Sequence, residues 1–436
     1  MDLEPAAGGF GAAGPPVRQS SAMTSARRAC VLLVAFLVAG ACDTTIPSTS
    51  IATPEPSSAI DAEAVYDEIE AEVAAVRGLQ PSDEVPRQVV TEEQMISRVR
   101  ELFEADNPPE YVAASEKTLK ALGLLERDAS LQELYLEALR SQVLGFYSPE
   151  DDELFVVSRS GTLGPTEKAT FAHEFTHALQ DQRFDYWREA DSWRDNGDLA
   201  LARSSLVEGD ATALMARWAT EHMTAEENAQ LLRDGLDPET LAVLAGMPAI
   251  LREQLSFPYQ QGFLFVSGLQ GLAGWGPVDE AYDEPPSSTE QILHADKYRA
   301  GEPPIDVAPP AELAAELGEG WHVSLEDTLG EFQLSIWLRE ATTRVGPANE
   351  AAAGWGGDRM VLLDGPQGAW ALAIISEWDD SAEAAQFIET AETAVEAGPF
   401  PGATAWQPGA TRVTVMIASD RPTLTLLDAA LGNTGV

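Results

Sequence analysis

Thiols are nearly absent from this 436-residue chain: its two cysteines, Cys30 and Cys42, both fall in the first tenth. The body beyond them therefore has no disulfide, no thiolate metal site and no cysteine nucleophile. Basic residues are also scarce, with 27 Lys and Arg against 71 Asp and Glu and a formal net charge of -44. Such a charge repels phosphate backbones, which excludes nucleic acid as a partner, and it favours a well-solvated surface. No apolar run in the body reaches the roughly 20 residues that span a bilayer as a helix, and no internal repeat is visible. Any metal bound by the body must be held by carboxylates and by the few imidazoles, of which the chain has five.

What is present is enough to fold. Hydrophobic residues make up 44% of the chain, which allows a sizeable core arranged in two or three structural units. Residues 1–42 read as an export signal: Arg27 and Arg28 precede the apolar run Ala29 to Val38, and small residues then lead to Cys42. That run is too short to span a membrane, and Met23 is a candidate start. The string Val38-Ala39-Gly40-Ala41-Cys42 resembles the lipobox of bacterial lipoproteins, with Ala39 where Leu is usual. The resemblance implies acylation of Cys42 and an extracytoplasmic protein anchored to the cell membrane; plain secretion is the other outcome of such a signal. Residues 43–60 are rich in Ser, Thr and Pro and read as a tether.

Residues 61–142 show apolar spacing of helical period, as in Ile69-Val73-Val76 and Met95-Val99-Leu102, and Thr91 with Gln94 forms a capping box. This region carries no visible chemistry and reads as a helical unit that packs on the next part of the chain. Two short runs, 143–147 and 153–157, flank a turn and predict a β-hairpin. A helix then starts at Gly164-Pro165-Thr166, with Pro at its favoured first position, and runs past Gln180. A second helix is expected from an Asp198 cap to about Met223, and further helices to about Tyr282. After residue 321 the pattern predicts a hairpin around 360–375, a helix at 381–395, a strand at 413–417 and a terminal helix from Thr423. The expected fold is α+β: a mainly helical part with a small hairpin or sheet over 143–320, and a C-terminal α/β domain over 321–436 with a structural or docking role.

The chemistry centres on His173-Glu174-Phe175-Thr176-His177. Its spacing places two imidazoles one turn apart on one helix face, where both reach one zinc ion, while Glu174 projects toward a water on that ion. Zinc lowers the pKa of such a water to about 7, and a nearby carboxylate can take its proton. A hydrolytic zinc site needs a third protein ligand and one open position. Glu208 is the candidate, on a face with Leu201, Ser205 and Thr212, and the small residues Ser204, Ser205, Gly209 and Ala211 are expected to let this helix close on the motif helix. Asp210 is the alternative ligand, or a partner that orients an imidazole. Tyr259 and His294 are the candidate donors to an oxyanion; a helix start at Ser288 and Gln291 gives His294 a structural alternative. His222, His322, Trp321, Trp355 and Trp370 read as structural or surface residues.

An HExxH helix followed by a helix that supplies Glu resembles the gluzincin class of zinc metallopeptidases, the class of thermolysin. The strings LGFYSPEDDELFVVS, GPTEKATFAHEFTHALQDQ, SLVEGDATALM, FPYQQGFLFV and PPSSTEQILHADKY look more closely like a family of exported bacterial metallopeptidase lipoproteins, over roughly residues 140–300, with a weaker echo at GWGGDR. The resemblance implies a zincin-like catalytic domain, with His173, His177 and Glu208 as zinc ligands, Glu174 as the base and a peptide or protein as substrate. It departs from thermolysin's pattern at Thr212, where an Asp is usual four residues after the ligand Glu. A lipid-anchored protein with a structural zinc site and a partner-binding role is the competing reading, and an amidase acting on cell-wall material is a third.

Overall fold

The computed structural model describes residues 62–142, 145–149, 151–157, 163–186, 193, 196–271 and 273–433. The export signal, Cys42 and the 43–60 tether lie outside the described residues. Among the described residues no helix is long and apolar enough to cross a membrane.

Helix α1 (Ala62–Arg77) leads into a short strand β1 (Arg87–Val90) and helices α2 (Glu92–Asp106), α3 (Pro109–Ala121) and α4 (Leu131–Gln142). The capping box at Thr91 forms as expected, with both reciprocal bonds to Gln94. Strand β1 corrects the purely helical reading of 61–142. Its four residues are too few to show a period of two, and Arg87 reads as one more charge between helices. In the fold Arg87 pairs with Glu63, Asp67 and Glu70 of α1. The predicted hairpin is β2 (Gly145–Ser148) and β3 (Glu153–Val157), and β1 adds in parallel to β3 to give the order β1-β3-β2.

The motif helix α5 (Pro165–Phe184) has Pro165 in its first turn and stops at Asp185, which adopts φ 48°. It is followed by α6 (Gly197–His222), α7 (Ala225–Gly235), α8 (Pro238–Gly246), α9 (Ala249–Gln270), α10 (Gly276–Asp283), α11 (Thr289–Leu293), α12 (Ala295–Ala300) and α13 (Leu313–Leu317). The cap of α6 is Asn196 rather than Asp198. Asp198 instead turns inward, 1% exposed, and accepts hydrogen bonds from the backbone and hydroxyl of Thr289. An Asp in a first turn serves equally as a cap or as an inward acceptor, and local spacing cannot separate the two.

The last part comprises β4 (His322–Asp327), α14 (Gly330–Thr342), α15 (Val345–Ala352), β5 (Trp355–Asp364), β6 (Trp370–Trp378), α16 (Ser381–Ala397), β7 (Gly402–Trp406), β8 (Arg412–Ala418) and α17 (Arg421–Asn433). Its five strands pair antiparallel throughout, in the order β4-β5-β6-β8-β7. Because side chains alternate along a strand, Met360 and Leu362 of β5 face one core while Val361 and Leu363 face another. The first of these cores is continuous with the helical body: it joins Leu206 of α6, Phe257 and Phe265 of α9, and Trp337 of α14 to Trp355 and Leu372 of the sheet. A separate core joins Val73 of α1, Val156 of β3, Phe171 and Phe175 of α5, and Trp218 of α6.

Two carboxylates of the C-terminal sheet region hold helix starts, one in the helical body and one in the C-terminal part itself. Asp327, at the end of β4, accepts from the backbone N–H of Gly197 at the start of α6. Asp358, in β5, accepts from Leu329 and Gly330 at the start of α14, a helix without a side-chain cap of its own. Helix starts leave N–H groups unpaired, so these bonds satisfy otherwise orphaned donors. The first of them fixes one end of the helix that carries Glu208.

Candidate metal centre

Helices α5 and α6 bring three donor atoms together. His173 Nε2 lies 3.1 Å from Glu208 Oε2 and 3.1 Å from His177 Nε2, and His177 Nε2 lies 3.4 Å from Glu208 Oε2. A zinc ion bonded tetrahedrally at about 2.0–2.1 Å would hold its ligands roughly 3.3 Å from one another. The three edges of this triangle therefore fit zinc, and among the described residues it is the group of His, Cys, Asp and Glu side chains able to hold an ion. The donor set of two imidazoles and one carboxylate also suits other divalent ions.

Burial makes the charges in this group interdependent. His177 is pushed up to about 9: burial opposes its charge, and the neighbouring Glu208 carboxylate outweighs that. Glu208 is held down at about 2, because the His177 and His173 rings overcome the cost of its burial.

Glu174 is 1% exposed. One of its oxygens, Oε2, accepts from the backbone N–H of Tyr147 in β2 at 2.9 Å. The other, Oε1, is buried without a hydrogen-bond partner, a costly condition for a carboxylate oxygen unless something else occupies the space beside it. Burial raises its pKa above the ordinary carboxylate range, with the two imidazoles pulling the other way. A raised pKa makes a carboxylate a better proton acceptor near neutral pH.

Helix α6 packs on α5 as expected, but at Gly209 and Ser205 its close backbone approach is to a different partner. A Cβ on Gly209 would lie 2.3 Å from the backbone of Gly262 in α9, and a Cβ on Gly262 would lie 2.2 Å from Ser205 O. The glycines serve the α6–α9 crossing, not α5 as expected, because Gly209 follows Glu208 by one residue and so points about 100° away from the metal face. Helix α9 in turn carries Tyr259, whose ring stacks on that of His173 with centroids 6.1 Å apart.

The other expected site residues divide. Tyr259 is brought to the triad. His294 sits between α11 and α12, with Nε2 3.0 Å from Glu331 Oε1 of α14, and it is not among the donors that converge on the metal position. The Ser288 hydroxyl accepts from Gln291 N as expected, but the return bond from the Gln291 side chain goes to Ser287 N. Asp210 is not a ligand; it lies behind the triad and accepts from Gln180, Arg77 and Tyr282. Thr212 is buried with no partner for its hydroxyl. His222 pairs with Glu72, and His322 is exposed on β4. Sequence reasoning missed Gln180 and Arg77, although Gln180 stands three residues after His177, where two side chains on one helix can meet.

A family model described as a domain of unknown function (DUF8575) matches residues 321–430, from just before β4 into α17. No curated protein and no solved structure matches the chain.

Proposed function

We propose that the protein is a zinc-dependent hydrolase of peptide bonds, a gluzincin-type metallopeptidase with a zincin-like helical catalytic part. In this reading it acts outside the cytoplasm, anchored to the membrane through a lipidated Cys42. The observation that carries it is the convergence of His173, His177 and Glu208 beside a buried Glu174 oxygen that has no partner. A zinc ion held by these residues would supply a Lewis acid able to polarise the scissile carbonyl and to lower the pKa of a water to about 7. Glu174 has the placement of a general base: Tyr147 N fixes one oxygen, which leaves Oε1 to take the proton of the attacking water and return it to the leaving amine. Tyr259, stacked on His173, is the candidate donor to the developing oxyanion.

The competing reading, a lipid-anchored protein whose zinc site is structural and whose C-terminal unit binds a partner, calls for four protein donors. Among the described residues three converge, which favours a hydrolytic site with an open position. The test is hydrolysis of a mixed peptide library by the zinc-loaded protein and by Glu174→Gln. Cleavage by the wild type at defined bonds, lost in the variant, is the expected result; equal cleavage by the two proteins removes Glu174 from the mechanism, and zinc-loaded proteins that both fail to cleave favour the structural, partner-binding reading.

A further inference from the structure

We infer that Gln180 and Asp210, clamped by Arg77 of α1, are positioning residues that orient His177 toward the metal, so that the N-terminal helix is an integral part of the metal centre. The inference rests on the reading of the triad as a metal site.

The chain of contacts starts at the ring. His177 Nδ1 lies 2.8 Å from Gln180 Oε1. The amide of Gln180 can stand only one way round, because its Nε2 donates to Val207 O at 3.0 Å and to Asp210 Oδ2 at 3.1 Å. A flipped amide would set its oxygen against two acceptors. Gln180 Oε1 is therefore the acceptor and His177 Nδ1 carries the proton, which leaves the Nε2 lone pair facing His173 and Glu208. Metal-binding imidazoles generally need this outer bond to fix both tautomer and ring orientation.

Asp210 holds the amide in place and is itself held from two sides. Arg77 donates from Nε to Asp210 Oδ1 at 3.0 Å and from Nη2 to Oδ2 at 3.2 Å, and the Tyr282 hydroxyl donates to Oδ2 at 2.9 Å. Arg77, Gln180 and Asp210 are all at most 1% exposed. The guanidinium also donates to Asp279 Oδ1 of α10 and lies 4.6 Å from the centroid of the Trp275 ring, whose N–H donates to Val76 O. Helices α1 and α10 thereby grip one carboxylate of α6, and that carboxylate grips the amide of α5 on which His177 rests.

A purely structural role for this ion pair is the competing explanation. Buried ion pairs are replaceable by apolar groups at little cost in stability, so tethering alone does not require this arrangement. What it supplies beyond tethering is an oriented amide acceptor at the far side of a metal-facing ring, and that is what the test isolates.

The experiment compares the wild type with Gln180→Met and Arg77→Lys. Readouts are zinc affinity by chelator competition, the visible spectrum of the cobalt-substituted proteins and thermal unfolding of the metal-free proteins. Gln180→Met is expected to weaken zinc binding by about 10–100-fold and to alter the cobalt spectrum. Arg77→Lys keeps the charge but loses the two-pronged grip, and is expected to weaken zinc binding by less. Zinc affinity in Gln180→Met within about twofold of wild type, with an unchanged cobalt spectrum, overturns the inference. Should Gln180→Met fail to fold, ring nitrogen NMR of the zinc-loaded wild type decides. A His177 ring protonated at Nδ1 and coordinated through Nε2 supports the relay, and coordination through Nδ1 overturns it. A wild type that binds no zinc sinks the metal reading itself and the relay with it, whereas zinc bound equally by wild type and Gln180→Met sinks the relay alone.

Discussion

Gly262→Ala and Gly268→Ala make the same chemical change in the same helix, α9, with opposite expected results. At Gly262 the added Cβ would lie 2.2 Å from Ser205 O and 3.0 Å from Ser205 C, well inside the 3.4 Å at which ordinary contact begins. The obstacle is backbone, so no rotamer change relieves it, and α6 and α9 must separate by about 1 Å. Overpacking of this kind costs about 1–3 kcal/mol, and a backbone clash belongs at the upper end of that range. The gain in helix propensity from Gly to Ala offsets about 1 kcal/mol, which leaves a net loss of about 2 kcal/mol. At Gly268 the nearest atom is the end of the Arg299 side chain at 3.9 Å, so the propensity gain stands alone at roughly 0.5–1 kcal/mol. The separation between the two variants is then about 2–3 kcal/mol, or roughly 3 °C in midpoint for a chain of this size. Calorimetry on the metal-free proteins measures it without the stabilisation that bound metal adds. Because metal sites tolerate about 0.2 Å in ligand placement and Gly209 adjoins Glu208, Gly262→Ala is also expected to weaken zinc binding, and Gly268→Ala is not. Equal melting of the two variants, or a more stable Gly262→Ala, would refute the argument that the glycine crossing sets the position of α6.

Three further outcomes are expected from the carboxylates. Burial raises Asp198 from an ordinary 3.8 to about 8, so between these values the folded state keeps a proton that the unfolded state releases. Stability contributed by this group is therefore present at low pH and lost as pH rises toward about 8, on the order of 5 kcal/mol in all. The stability difference between Asp198→Asn and wild type should shift in the variant's favour across that window, as read by denaturant titration at several pH values; a difference independent of pH contradicts the assignment. Asp358→Ala removes the acceptor for Leu329 N, Gly330 N and Trp355 Nε1, and loss of such a cap is expected to cost at least 1–2 kcal/mol. A smaller change in the denaturation midpoint would mean that other groups satisfy the start of α14. Glu174→Gln should abolish hydrolysis while leaving the folded protein intact, since the amide oxygen still accepts from Tyr147 N; retained activity would exclude the base role.

The parts of the fold and site legible in sequence are those set by short-range periodicity. The HExxH pair needs only the helical repeat, the pairing of β2 with β3 needs only a turn between two apolar runs, and Thr91 with Gln94 needs only a three-residue spacing. Glu208 was reachable by the same logic applied twice. What the spacing did not carry was choice of partner. Gly209 signals a close approach, yet nothing local says that α9 rather than α5 supplies it. Arg77 and Asp210 are 133 residues apart, and each alone resembles a surface charge in a very acidic chain. Asp198 and Asn196 both suit a helix start, and only the Thr289 backbone brought close by the fold decides which one turns inward. Strand β1 owes its existence to the edge of β3, since four residues with an Arg and a Gln carry little pattern of their own.

Bound metal per chain is the most direct measurement of the central claim, made on wild type, Glu174→Gln and Glu208→Ala after loading with zinc and removal of the excess. The expected result is one zinc in wild type and in Glu174→Gln, and a large loss of zinc in Glu208→Ala with its fold retained. Wild type without zinc, or Glu208→Ala holding zinc as tightly as wild type, would contradict the assignment of His173, His177 and Glu208 as the metal centre.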